Sequence, residues 1–100
     1  MIAFEEVLLQ PDETELRGYW IDLGSRMVKD ANWQRIEWLV AEHLEELVSA
    51  DSGRASLYRD PADGRLWEKI HDHFELRDGG PPRLSLIDRD AAMRRYPITF

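Results

Sequence analysis

Turn-forming clusters recur along this chain at intervals that leave room for short strands and for one helix of any length. Leu23-Gly24-Ser25, Asp51-Ser52-Gly53, Asp60-Pro61-Ala62-Asp63-Gly64 and Gly79-Gly80-Pro81-Pro82 interrupt segments rich in branched and aromatic side chains, the composition that suits a pleated, half-buried surface. In Pro-x-Asp-Gly the proline fixes the entry φ and the glycine accepts a positive φ at the exit. The predicted strands are Glu15 to Asp22 joined as a hairpin to Arg26 to Lys29, a segment after Glu42, Arg54 to Arg59, Arg65 to Ile70, and Leu84 to Ile87. Leu66 and Glu68 should face one way from their strand, Trp67 and Lys69 the other.

One stretch has a different period. Asp30 stands where a helix N-cap would, and Trp33, Ile36, Leu39 and Val40 then recur at three- and four-residue spacing as a core-directed stripe. Leu44, Leu47 and Val48 could extend that helix, but Asp51-Ser52-Gly53 also suits a hairpin loop. We read helix to about Glu42 and strand beyond it. Asp88 caps a short terminal helix, Arg89 to Arg95, stopped before Pro97. The expectation is an α+β fold: an antiparallel β-sheet of about five to six strands, one principal helix packed on it, and a short C-terminal helix. With no repeat, low-complexity stretch or linker, residues 1–100 read as one domain. The opening apolar run Ile2, Phe4, Val7, Leu8 and Leu9 breaks at Pro11, and residues 1–14 are expected to be less ordered.

Composition narrows the chemistry. Apolar residues make up 43% of the 100 residues, ample for a core at this size. The absence of cysteine excludes disulfides, thiolate metal sites and a cysteine nucleophile. Uncharged runs fall far short of the ~20 residues a membrane span requires, and Glu5 and Glu6 stand where a secretory signal would carry lysine or arginine. A cytoplasmic protein with no membrane contact is expected. The net charge is −7, and it is unevenly placed: residues 1–50 hold 11 acids and 4 bases, residues 51–100 nine of each. A field of that sign repels nucleic acid and attracts basic surfaces.

Candidate sites of other kinds lack partners. His71-x-His73 with Asp72 and Glu75 offers imidazoles on one side of a strand but no third ligand at a recognisable spacing, so no metal is expected. Asp60-x-x-Asp63-Gly64 lacks the remaining ligands of a calcium loop. No serine has a nucleophile-elbow context and no glycine loop has P-loop spacing; no cofactor and no catalytic residue is assigned. Arg54, Arg59, Arg65, Arg77, Arg83, Arg89, Arg94 and Arg95 are interleaved with acids rather than gathered for nucleic acid. Around the Asp60–Gly64 turn, alternating charge predicts that Arg59 or Arg65 binds Asp60, Asp63 or Glu68, while Gly79-Gly80 allows close backbone approach before Pro81-Pro82 stiffens the chain.

The run Leu57-Tyr58-Arg59-Asp60-Pro61-x-Asp63-Gly64-Arg65-x-Trp67-Glu68, followed by Glu75-Leu76-x-x-Gly79-Gly80-Pro81-Pro82-x-Leu84, resembles the immunity protein 27 family of bacterial polymorphic-toxin systems. Arg35-Ile36-Glu37-Trp38-Leu39 and Pro11-Asp12-Glu13-Thr14-Glu15-Leu16 fit the same pattern, so the likeness runs from about Pro11 to Tyr96. The resemblance implies a small non-catalytic protein, encoded beside a secreted toxin, that occludes a cognate toxin domain, for instance a basic nuclease, and protects the producing cell from contact-dependent killing. It implies a scaffold role for Tyr58, Arg59, Asp60, Asp63, Gly64, Arg65, Trp67, Glu68, Gly79, Gly80, Pro81 and Pro82. An acidic interaction module of another pathway and a small carboxylate-dependent enzyme are the alternatives.

The expected contact surface lies in the acidic half. At 100° per residue Trp38 points about 140° away from Trp33, near Glu42, and Glu45 and Glu46 extend the acidic patch. Trp38 is either covered by another layer or offered to a partner.

Overall fold

The computed structural model describes residues 8–76 and 79–100. The expected α+β architecture is present. In chain order the elements are β1 (Glu15–Arg17), β2 (Trp20–Asp22), β3 (Met27–Lys29), helix α1 (Ala31–Trp38) continued by a π-type turn (Leu39–His43), β4 (Glu45–Ala50), β5 (Ala55–Arg59), β6 (Leu66–His71), β7 (Pro82–Ile87) and α2 (Arg89–Arg95). A five-stranded sheet has the order β1-β7-β6-β5-β4, and β2 and β3 form a two-stranded sheet of their own. All pairings are antiparallel.

The Glu15 to Asp22 segment, expected as one strand, is cut in two at Gly18. Its first part pairs with β7 and its second with β3. Gly18 donates its N–H to the Pro82 carbonyl at 2.9 Å, and a Cβ at this position would come within 3.0 Å of both Pro82 Cδ and Trp33 Cβ. The chain can leave the sheet here only because no side chain stands in the way.

Helix α1 begins as the residues dictate. The Asp30 carboxylate accepts from the Trp33 N–H at 2.8 Å and from the Tyr19 N–H at 3.0 Å, so one side chain caps the helix and ties the β2–β3 hairpin to it. Trp33, Ile36 and Leu39 are buried, with Val40 partly buried beside them. The Leu44 N–H bonds to the Leu39 carbonyl at 2.7 Å, an i to i+5 closure that adds one residue to the turn. The extra residue lets both Leu39 and Leu44 enter the core and turns His43 toward Asp60.

The sheet is apolar on both faces. On the α1 side, Leu16, Tyr58, Trp67 and Leu84 pack with Leu9, Ile36, Leu39 and Leu44. On the other side, Leu57, Leu66 and Ile87 pack with Ala92 and Tyr96 from α2 and its exit. Alternation along β6 places Trp67 and Leu66 on opposite faces, as the period requires. Glu68 shares the second face; it is buried, and it accepts from Tyr96 Oη at 2.9 Å and from Arg95 Nη1 at 2.6 Å. A buried carboxylate is tolerable only with such partners.

The expectation of lower order at residues 1–14 falls, for residues 1–7, outside the described residues. Residues 8–14 lie across the α1 side as an irregular strap, in which Leu9 is buried.

Candidate functional site

The turn between β5 and β6 is built from its own residues. The Gly64 N–H bonds to the Asp60 carbonyl at 2.7 Å and the Asp60 N–H to the Arg65 carbonyl at 2.9 Å. Gly64 has φ +79°, as its place at the exit demands. Asp60 is buried, and its Oδ1 accepts from the Ala62 N–H at 2.8 Å and lies 2.9 Å from His43 Nε2. Arg65 donates to Asp63 through Nε at 2.7 Å, one of the expected pairs. It also donates to the carbonyls of Gln10 (3.0 Å) and Glu13 (3.1 Å), and its guanidinium stands over the Trp67 ring. Arg59 turns to Glu45 on the neighbouring strand instead, at 2.9 Å and 3.0 Å.

A second arginine completes the strap. Arg35 holds both oxygens of Glu13, at 2.7 Å and 2.8 Å, and also the Leu8 carbonyl at 2.7 Å. Its residue type and spacing from Glu13 carry no local signal of this pairing, which only the packing of the strap on α1 creates.

The acidic candidates come together at the junction of α1 and β4. Glu42, Glu45 and Glu46 are exposed. Among the described residues Glu42 and Glu46 make no hydrogen bond or direct ion pair, whereas most other described acids are tied to a cation or a backbone N–H. Trp38 is partly covered: it packs against the α1-side core and stacks on His43, with ring centroids 6.4 Å apart.

The family model described as Immunity protein 27 matches residues 22–88, about two thirds of the chain. The chain belongs to the immunity protein 27 family. Membership assigns it an immunity function and implies a cognate toxin as its partner. No curated protein and no solved structure matches the chain. The matched span holds β3, α1, the acidic junction and strands β4 to β7.

Within this immunity protein 27 chain, His71 and His73 separate. His71 sets Nδ1 3.2 Å from the Gly80 carbonyl oxygen, and burial pushes its imidazole below the ordinary histidine range. His73 is exposed. No group of three or more potential metal-binding side chains occurs among the described residues. Gly79 and Gly80 have φ +79° and +72°, and a Cβ on Gly80 would overlap the His73 carbonyl. The close approach expected of this pair is there. No described helix is long and apolar enough to cross a membrane.

Lys69 shows how the α1 side is charged. Burial lowers its ammonium below the ordinary lysine range, and Glu37 and Glu46 partly offset that while Lys29 reinforces it. One half-buried cation is thus ringed by the helix, the hairpin and the start of β4.

Three carboxyls give the fold a pH signature. The Arg35 hydrogen bond holds Glu13 below its ordinary range, and the Arg83 hydrogen bond does the same for Asp72. For Asp63 burial pushes upward, but hydrogen bonds from the Arg65 backbone and guanidinium outweigh it. Groups with depressed folded-state values contribute stability that is complete above the unfolded pKa and lost as pH falls through the folded one. Urea stability should therefore change little from these groups between about pH 7 and 5 and decline below about pH 4. Arg35→Gln should remove part of that decline, and an identical pH profile in the variant would show that Glu13 does not contribute.

Proposed function

We propose that this protein neutralises its cognate toxin domain by binding and occluding it, without a catalytic step, in the cytoplasm of the cell that makes both. The observation that supports this reading, beside family membership, is the pair of exposed carboxylates Glu42 and Glu46 at the α1–β4 junction, neither of them committed to a direct ion pair among the described residues, with Lys69 the cation that Glu46 faces through space. Exposed acids that hold no direct ion pair are open to a partner, and they raise the encounter rate with a basic surface. A toxin with a basic cleft, such as a nuclease, is the partner such a face suits. Trp38 borders the junction as a half-covered aromatic, and Glu45 adds charge while held by Arg59. The contacts of Asp60, Asp63, Arg65, Glu68 and Gly80 support a scaffold role for the β5–β6 turn and the β6–β7 connection.

The test is capture of the toxin domain encoded beside this gene, with growth protection when both are expressed. Reversing Glu42, Glu45 and Glu46 together to Lys should slow association by about tenfold or more and flatten its salt dependence, with the fold retained and the melting temperature lowered only by the loss of the exposed Glu45–Arg59 pair and of Glu46 near Lys69. If the triple variant associates at the original rate, the acidic junction does not steer binding. If the neighbouring toxin domain is not bound at all, the neutralising function is wrong.

A further inference from the structure

The β2–β3 hairpin carries apolar surface that its own fold does not use. Tyr19, Ile21, Leu23 and Met27 are 56%, 42%, 53% and 46% exposed. The register pairs Trp20 with Lys29, Ile21 with Val28 and Asp22 with Met27. Trp20 and Lys29 therefore share the inner face, where Trp20 meets Trp33 edge-on at 4.7 Å and Lys29 bonds Glu37 at 3.0 Å. Tyr19, Ile21 and Leu23 alternate along the outer face with Val28 beside them, and Met27 lies nearer the tip.

Such a ribbon would be marginal alone, yet this one is held firmly. Asp30 accepts from Tyr19, the Asp30 N–H returns a 3.0 Å bond to the Tyr19 carbonyl, and the Leu23 N–H bonds to the Arg26 carbonyl at 2.9 Å around Gly24-Ser25. The outer face is thus preorganised, and ordering it on contact costs little. At its base Tyr19 walls a cleft of about 260 Å³, a recess of side-chain size, whose other walls are Arg17, His73, Pro81, Pro82 and the Asp72–Arg83 ion pair. Exposed apolar residues gathered on one rigid element mark a contact surface.

Charge decides what covers it. Glu37 beside the hairpin is matched by Lys29, but the hairpin belongs to the half of the chain, residues 1–50, that carries 11 acids against 4 bases. A second copy of the chain would bring a net charge of −7 against −7, which electrostatics opposes. A partner with an apolar patch set in positive surface meets both features. We propose that the outer face of the β2–β3 hairpin, with the cleft beside Tyr19, is the apolar anchor on which the cognate toxin domain docks. This rests on the toxin-neutralising reading above and divides the labour: the acids at the α1–β4 junction govern approach, and the hairpin governs residence.

The experiment measures binding of the full chain to an inactivated form of the toxin domain encoded beside it, by surface plasmon resonance. Tyr19→Ser, Ile21→Thr and Leu23→Ser combined should weaken binding by about 100-fold, chiefly through faster dissociation. Leu23→Ser alone, at a turn position that leaves the ladder intact, should weaken it by about tenfold. Amides 19–28 of the unaltered chain should gain hydrogen-exchange protection in the complex, a readout independent of how the variants fold. If the unaltered chain binds while both variants bind within about threefold of it and those amides gain no protection, the hairpin is not the anchor and the neutralising function stands. If sedimentation shows a dimer that the triple variant dissolves with toxin affinity intact, the face joins two copies and the proposal is overturned. If the unaltered chain does not bind, the neutralising reading fails and takes the proposal with it.

Discussion

Trp33→Ala should lower the unfolding free energy by roughly 3–5 kcal/mol, the range for removing a large aromatic from a packed core. Trp33 is 2% exposed. It receives the edge of Trp20 on one side and the Lys29 ammonium at 5.1 Å from its ring centroid on another. Gly18 presses against its backbone and Cβ. The void left by the indole could not collapse easily, because β1, the hairpin and α1 are each pinned by separate hydrogen bonds, through the Pro82 carbonyl and the Asp30 carboxylate. A loss of that size is a large part of the ~5–15 kcal/mol available to a domain. Urea unfolding followed by circular dichroism measures it. A change below about 1 kcal/mol would mean that the site repacks. The loss should include detachment of the hairpin, so the variant's amides 19–28 should exchange faster than those of β5 and β6.

Asp60→Ala is the second large effect, expected at roughly 2–4 kcal/mol. Its carboxylate is 1% exposed and is the partner of both the Ala62 N–H and His43. Alanine would take the shared acceptor from that part-buried amide and ring and leave a void where the buried carboxylate stood, and the lost hydrogen bonds would be only partly replaced by water. Asp60→Asn keeps an oxygen for Ala62 and should recover part of the loss. Because we propose a scaffold role for this turn, toxin affinity measured well below the melting temperature should be unchanged in both variants. A variant with the original melting temperature and no toxin binding would move Asp60 from the scaffold to the interface.

The contrast between Arg65 and Arg59 shows what could be anticipated from order along the chain. Arg65 meets Asp63 two residues away, a pairing set by the turn itself. Arg59 pairs with Glu45 because the β4–β5 register places those two side by side. The same holds for Glu68, whose partners Arg95 and Tyr96 lie 27 and 28 residues on, and for Glu13 and Arg35, 22 apart. The acidic candidates were visible as a charge imbalance, and helix periodicity placed Trp38 away from the stripe. That Trp38 is half-covered and stacked on His43 depends on the π-type turn, which the 3.6-residue period does not contain. The exposed hairpin face had no warning at all, since Tyr19, Ile21 and Leu23 in a strand look the same whether a second layer covers them or not.

By itself the amino-acid order determined what short-range physics can decide. Asp30 and Asp88 satisfy free amides within three residues, the Trp33 stripe follows the helical period, and the turns at Gly24, Gly64 and Gly80 follow from residues that accept positive φ. These are contests between a few neighbouring groups, and they have the same winner in any surroundings. Tertiary structure alone decided that the chain breaks at Gly18, that Asp60 and Glu68 are buried with partners from distant elements, and which apolar face stays in water. Those outcomes depend on which strand lies beside which, and packing and desolvation act between groups that only the folded topology brings together.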